Sequence, residues 1–438
     1  MKVIASQLES IVSSGGVYEW EDIAARRREQ IEKAIAPKSL PSYLVYPRTQ
    51  AELAEVIACA ERNNWHVLPC GSGSKLSWGG LAKGIDLVVS TERLNQLVQH
   101  AVGDLTVTVE AGTKFADLQA TLAQVGQFIA LDPTAPELAT MGGIVATAET
   151  NSLRQRYGSV RDQLLGFTFI RADGQIAKAG GRVVKNVAGY DLMKLFTGSY
   201  GTLGIIAQVT FRVYPLPEAS GTVVLTGEAE AIAKATTILR SSALTPTKAD
   251  LLSTQLVSRL GVGKGLGLLT CFQSLSESVK EQSARLLEVG NQLGLQSAIY
   301  SAEDEADLWH KLPEQMRDSG IKQAVTCKIG VLPSTAIATL TQLDKLAPQQ
   351  AIGMIHAGSG LGLLRFDSPD LRTHTVLQMR THCQSQGGFL TIQAAPVTFK
   401  QQLEVWGYSG NAIDLMRRIK QQFDPKNILS PHRFVGGI

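Results

Sequence analysis

Cysteine is scarce. The 438 residues hold five, Cys59, Cys70, Cys271, Cys327 and Cys383, and none lies within four positions of another. Without a C-x-x-C pair, an iron–sulfur cluster built on local cysteine spacing is excluded. An odd, dispersed set also fits a reducing compartment. An excess of one charge is missing too: 42 Lys and Arg face 39 Asp and Glu, a net +3. That gives no case for nucleic acid or an anionic membrane as partner. No apolar run reaches the ~18–20 residues a bilayer demands. Glu9 stands where a secretory signal needs its apolar core. We therefore expect a cytoplasmic protein with no direct membrane span, tethered to a membrane only through a partner. There is no G-x-S-x-G for serine hydrolysis and no Gly-Lys-Ser/Thr of a Walker loop.

Glycine, by contrast, is plentiful and clustered, with 41 in the chain. Residues 70–80 read Cys-Gly-Ser-Gly-Ser-Lys-Leu-Ser-Trp-Gly-Gly. Trp65–Pro69 before them and Ile85–Val89 after them are apolar strands, and no amphipathic helix follows. A glycine turn between strands can curl its N–H groups into an anion nest. A Rossmann turn would aim a helix N-terminus instead, and here Leu76 replaces the third glycine of G-x-G-x-x-G. A dinucleotide held by a different fold is the expected ligand.

The surrounding pattern alternates strands and helices. Residues 19–36 read as a charged helix whose Arg26, Arg27 and Arg28 form a solvated face. Tyr43–Tyr46 is a strand. Thr49 and Glu52 form a capping box ahead of a helix with Leu53, Val56, Ile57 and Ala60 on one face. Leu105–Val109 is β-branched. Thr113 is placed to cap a helix carrying Phe115, Leu118, Leu122 and Val125 inward. Leu164–Ile170 and Ile205–Val213 are further strands, and Tyr214-Pro215-Leu216-Pro217 marks a boundary.

From 218 onward, helical stretches (228–241, 275–293, 334–346, 368–385) alternate with short strands (266–272, 295–300, 322–329, 350–356, 361–366, 387–394). That is the texture of an α+β domain with helices on one face of an antiparallel sheet. A helix over 412–423 leads into an extended tail, 424–431, expected to pack back on the first domain. Gly261-Val262-Gly263-Lys264-Gly265-Leu266-Gly267 looks phosphate-like but lies between a short helix and an apolar strand, so it reads as a loop.

Two more small-residue stretches accompany the loop at 70–80: Thr140–Ala148 and Gly198–Ile206. Small residues let a flat or charged ligand approach the backbone. Together the three can line an elongated dinucleotide, with Lys75 as a mobile positive charge beside the phosphates. Any one alone reads equally well as a tight hairpin.

These residues occur in a family-specific order. Residues 41–80, Asp132-Pro133, Thr140-Met141-Gly142-Gly143, Arg156-Tyr157-Gly158-Ser159, Lys185–Leu192, Gly201–Ile206 and Phe423–Pro431 resemble the FAD-binding domain of the vanillyl-alcohol oxidase / p-cresol methylhydroxylase (PCMH) type. The likeness spans about 41–217 plus the tail, and is greatest to the FAD-binding E subunits of glycolate oxidase (glycolate dehydrogenase). It implies an α+β fold: a two-subdomain PCMH-type FAD domain over 41–217, preceded by a helical extension over 1–40. An antiparallel α+β cap follows over 218–404, and 405–438 returns to the FAD domain.

The resemblance also implies a cofactor, FAD, bound non-covalently, since the first glycine loop has no histidine to link it. Cys70, Gly71, Ser72, Gly73, Ser74 and Lys75 would hold the pyrophosphate. Thr140, Gly142, Gly143, Ala146 and Thr147 would follow the pyrophosphate, ribityl chain and isoalloxazine. Gly204 and Ile205 would lie on the adenosine side. Cys70 stands where many relatives carry arginine, which leaves the backbone and Lys75 to compensate.

The cap is where the chain departs from the family. Relatives that oxidise 2-hydroxy acids alone carry His-x-Gly-Asp-Gly-Asn-x-His and Glu-His-Gly, which supply metal ligands and a base. Here the nearest stretch is His356-Ala357-Gly358-Ser359-Gly360-Leu361-Gly362, and 404–407 is Glu-Val-Trp-Gly. No metal site is expected, and His356 at a strand end reads first as structural. Tyr190, Lys185 and Lys194 are the remaining candidates to meet a carboxylate, or are simply solvated or packed. The expectation is an FAD-dependent component of a glycolate or D-lactate dehydrogenase, with a second FAD-binding subunit and an iron–sulfur subunit as partners. The alternatives are a non-catalytic or scaffolding subunit, and a stand-alone flavin reductase or oxidase.

Overall fold

The computed structural model describes residues 2–12, 15–37, 39–182, 189–317, 323–368 and 371–438. They form two compact units. The first comprises Met1–Glu149, Ser159–Pro215 and Tyr408–Ile438; the second comprises Thr150–Gly158 and Leu216–Gly407. Among the described residues, no helix is long and apolar enough to cross a membrane.

The first unit contains two main sheets. One has four strands in the order Val17–Glu19, Tyr43–Val45, Leu87–Ser90, Val67–Cys70. Its last three strands are parallel. The helix Gln50–Asn63 connects two of them and buries Leu53, Val56, Ile57 and Ala60. Thr49 Oγ1 accepts from Glu52 N at 3.0 Å, while the Glu52 carboxylate reaches back to Arg48 N at 2.7 Å. Asn64, in the left-handed conformation at φ 55°, ends the helix.

The second sheet is antiparallel throughout, in the order Leu97–Ala101, Thr106–Glu110, Ile205–Arg212, Leu164–Ile170, Ile176–Gly180. It shares a core with the helices Phe115–Ala123 and Met141–Thr147.

Two local expectations change here. Residues 19–36 do not form one helix: Val17–Glu19 pairs with Tyr43–Val45, Trp20–Asp22 is a 3-10 turn, and the α-helix covers only Ala25–Glu32. Sheet pairing captures the first residues, since Trp20 N donates to Ser42 O at 3.0 Å. The helix Phe115–Ala123 starts after Lys114 rather than Thr113, and Val125 beyond its end is 48 % exposed. The chain has already left the helix before Val125 can turn inward.

The second unit is one eight-stranded sheet, antiparallel at every pairing. Its strands alternate between two cores. Val223, Leu225, Leu251, Leu268 and Ile355 join the helices Ala229–Ser241, Ser276–Gln292, Ala336–Leu346 and Thr373–Ser385. Val224, Leu252, Leu269, Ile352 and Met354 face Thr254–Leu260 and Ala302–Met316. Helices therefore cover both faces, not one. The period of two in side-chain direction requires this: strands apolar at consecutive positions must be buried on both sides.

Candidate functional site

The glycine segment after Val67–Cys70 remains irregular until Leu87, with no helix in it. Its geometry is set from below by Arg27, on the helix Ala25–Glu32. The Arg27 guanidinium donates to Gly71 O at 2.8 Å and to Ser72 O. It also approaches Cys70 Sγ and Ser90 Oγ, each at 3.4 Å. A trans peptide is planar, with C=O and N–H opposed. Pinning the carbonyls of Gly71 and Ser72 on Arg27 therefore points the N–H groups of Ser72 and Gly73 away from it. Among the described residues, no acceptor meets the N–H groups of Ser72, Gly73, Ser74 or Lys75. The first internal bond of the turn is Leu76 N to Gly73 O, 3.1 Å.

The glycines are sterically required. Gly73 has φ +84°, and a Cβ there would collide with the Arg27 guanidinium. A Cβ on Gly71 would collide with Thr140 Oγ1. The first stretch thus lies against the second.

Thr140 caps the helix Met141–Thr147 and accepts from Gly143 N at 3.3 Å. Gly142 N donates to Ala111 O at 2.8 Å, and Thr147 Oγ1 to Gly143 O at 2.8 Å. The amides of Gly142 and Gly143 are therefore already engaged, unlike those of the first loop. The third stretch closes onto the second. Gly198 N and Tyr200 N donate to Val145 O and Ala146 O at 2.9 and 2.8 Å, satisfying carbonyls at the helix end.

The three stretches enclose one cleft of about 720 Å³, counted to its open mouth. All thirteen residues expected to hold the cofactor line it: Cys70, Gly71, Ser72, Gly73, Ser74, Lys75, Thr140, Gly142, Gly143, Ala146, Thr147, Gly204 and Ile205.

The electrostatics differ from expectation at one point. Lys75 is not a mobile charge. It is buried, and its Nζ lies 2.9 Å from Glu149 Oε2, itself buried. The other Glu149 oxygen accepts from Thr134 N at 2.7 Å. The pair neutralises itself, leaving Lys75 little charge to offer.

Two arginines that pattern alone did not single out frame the site. Burial works to lower the Arg27 pKa, but Cys70, Tyr46 and Glu92 outweigh it and hold it above the ordinary value. Arg433, from the C-terminal segment, is 4 % exposed and lines the cleft. Burial pulls its pKa down to about 10, against opposing contributions from Tyr200 and Cys70, so it is charged at neutral pH. Burial also pushes the Tyr200 hydroxyl up to about 12. The Cys70 thiol rises for the same reason, with Arg27 opposing it. No local pattern flags either arginine, because each acts on residues far along the chain.

Of the expected catalytic candidates in the first unit, neither Tyr190 nor Lys194 lines this cleft. Tyr190 is 90 % exposed, and Lys194 is ion-paired with Asp191 at 2.8 Å on the surface. Lys185 lies outside the described residues, as does half of the Lys185–Leu192 motif, residues 185–188. His356 belongs to the second unit, where it is buried with Nδ1 2.5 Å from Asp250 Oδ1 on the neighbouring strand. Among the described residues, no group of three or more His, Cys, Asp or Glu is placed to hold a metal ion.

Comparison with known proteins decides the family of this cleft. Residues 41–180 match the FAD binding domain family, and 401–434 match the C-terminal domain of FAD linked oxidases. The chain carries a PCMH-type FAD-binding domain. It is an α+β protein and an FAD-linked oxidoreductase.

Glycolate oxidase subunit GlcD of Bacillus subtilis is 25% identical over 424 residues, 90% of this chain and 89% of that protein. Subunit GlcE of Escherichia coli is 39% identical over a shorter 151 residues, 34% of this chain and 43% of that protein. A crystal structure of p-cresol methylhydroxylase superposes with a TM-score of 0.77 at 13% identity, covering 99% of this chain and 96% of its own, a likeness of fold.

The FAD domain's cleft fits its cofactor on three counts. It offers unengaged amides at Ser72–Lys75, two positions where only glycine leaves room, and a buried arginine facing the cavity.

Proposed function

We propose that this chain is the FAD-binding component of a dehydrogenase for a small 2-hydroxy acid, glycolate or D-lactate, and that it works beside a second flavin subunit and an iron–sulfur subunit. When bound, FAD supplies the two-electron acceptor for a hydride leaving the α-carbon of the acid. Everything else assigned here is done by the chain's own residues. Ser72, Gly73, Ser74 and Lys75 grip the diphosphate through main-chain N–H groups. Hydrogen bonds to charged groups are worth about 1.5–3 kcal/mol each, so a set of four requires no arginine at position 70. Thr140, Gly142, Gly143, Ala146 and Thr147 provide a wall without bulky side chains for the rest of the nucleotide. Gly204 and Ile205 close the adenosine side.

The proposed FAD domain is 41–217 with the segment 405–438, and 218–404 is its cap. The observation that carries the reading is the run of unengaged amides, turned outward by Arg27, within a cleft lined by all thirteen expected residues.

A specific observation favours the division of labour with a sister subunit. Neither Tyr190 nor Lys194 lines the cleft, Tyr190 being solvated and Lys194 paired with Asp191, and within the second unit His356 is committed to Asp250. The five cysteines are all free and dispersed, so a metal-cluster relay has to come from another chain. We place the protein in the cytoplasm, reaching a membrane only through such partners.

Purification of the chain alone tests the reading. The expected result is a yellow protein with one FAD, not bleached by anaerobic glycolate or D-lactate, and bleached once the second flavin subunit is supplied. Bleaching by the isolated chain overturns the division of labour. A colourless chain that takes up no FAD overturns the assignment itself.

A further inference from the structure

Arg433 is a buried cation without an anion. Its residue is 4 % exposed. Nη2 donates to Leu76 O at 2.9 Å and Trp78 O at 3.1 Å, the carbonyls that follow the glycine loop. Nη1 is buried and has no partner. Among the described residues, no carboxylate lies within ion-pair distance of it. The buried Glu149 carboxylate is engaged by Lys75. The backbone of Arg433 is fixed too: its N donates to Ser430 O at 3.2 Å and its O accepts from Gly80 N at 3.1 Å.

A desolvated, unpaired charge is strongly destabilising unless something compensates it. A guanidinium held at one nitrogen, with the other buried and unpartnered in a residue that lines the cleft, carries donors suited to a phosphate or carboxylate. The same cleft is lined by further unengaged donors, the amides of Ser72–Lys75.

We infer that Arg433 is the cofactor-binding cation of this chain, meeting the dinucleotide diphosphate from the C-terminal side of the cleft in place of an arginine at position 70. The inference rests on the FAD reading above and deepens it. It also gives the C-terminal segment a role. Leu429 bridges to Val67, and Val67 N donates to Ile428 O at 2.7 Å, which anchors the segment beside the strand that enters the glycine loop. The tail thus delivers a charge to a loop more than three hundred residues away in sequence.

The test compares full-length wild type with Arg433→Gln and Arg433→Lys. FAD binding to each apoprotein is titrated, and the melting temperature is measured with and without FAD. Wild type is expected to bind one FAD. Arg433→Gln keeps a donor for Leu76 O or Trp78 O but loses the charge. It is expected to bind FAD about 10- to 100-fold more weakly, the scale of a charge-assisted pair, while its apoprotein melts at or above the wild-type temperature. Arg433→Lys is expected to recover most of the affinity. An unchanged FAD affinity in Arg433→Gln overturns the inference while leaving the FAD assignment intact. So does a loss of affinity matched by an equal drop in apoprotein melting, which would make Arg433 a support for the loop only. So does an unchanged affinity with a raised KM for glycolate in the reconstituted complex, which would make its target the substrate carboxylate. Failure of the wild type to bind FAD would overturn the underlying assignment as well.

Discussion

Two segments of this chain are almost equally rich in glycine, and only one forms a cleft. In Cys70–Gly80 the carbonyls of Gly71 and Ser72 are tied to Arg27, and the amides of Ser72–Lys75 have no acceptor among the described residues. In Gly261–Gly267 the amides close a helix. Gly261 N donates to Ser258 O at 3.1 Å and Val262 N to Val257 O at 3.3 Å. Its glycines serve close packing: a Cβ at Gly263 would collide with Thr226, and one at Gly265 with the Gly227 carbonyl. Lys264 simply faces solvent. Glycine content therefore does not make an anion site. What distinguishes the two is whether the carbonyls are held from behind, so that the N–H groups are left to face a cavity.

The largest expected effect comes from blocking the open turn. Gly73→Val adds a branched Cβ at φ +84° where the Arg27 guanidinium stands. It should abolish FAD retention while leaving far-ultraviolet circular dichroism unchanged; a variant that still co-purifies with one FAD would show that the nest lies elsewhere.

Next is the buried ion pair beneath the cleft. Lys75→Met strands Glu149 without its partner, and breaking a buried pair costs about 3–5 kcal/mol. Chemical denaturation should show that loss, with most of it restored in Lys75→Met/Glu149→Gln. Equal stability of the single and double variants would mean the pair is not coupled.

Arg27→Met should be milder. It frees the carbonyls of Gly71 and Ser72 without removing any proposed cofactor contact, and should weaken FAD binding by roughly 10- to 100-fold, equivalent to about 1.4–2.8 kcal/mol. Fluorescence quenching on FAD titration reads this directly. The smallest effect belongs to the other glycine segment: Lys264→Ala should leave FAD affinity unchanged and alter stability by less than about 0.5 kcal/mol. A flavin phenotype there would erase the contrast.

That the three small-residue stretches line one cleft was largely legible before the structure, because its wall is built from main chain and small residues. Glycine and small residues at Cys70–Lys75, Thr140–Thr147 and Gly204–Ile205 mark where backbone must approach a ligand, and that requirement is written locally. Strands such as Leu164–Ile170 and Leu361–Phe366 were equally plain from their short apolar runs. Less legible was Ala302–Met316, whose acidic first turn (Glu303, Asp304, Glu305) obscures its buried face of Leu308, Leu312 and Met316. Without that helix, the second face of the eight-stranded sheet went unassigned. The arginines were invisible for a different reason. Arg27 sits in a run of three that reads as a solvated face, and its carbonyl partners lie 44 and 45 residues away. Arg433 reaches across 357.

By itself, the sequence determined which segments turn, which extend, and where small residues leave the backbone open to approach, since φ preferences and side-chain volume act within a few residues. Only the tertiary structure decided which charges are available. Lys75 looked free and is cancelled by Glu149; Arg27 looked solvated and braces the loop; Arg433 looked like part of a tail and stands unpaired in the cleft. A charge acquires its meaning from the dielectric and partners around it, and those are assembled by folding rather than by adjacency in the chain.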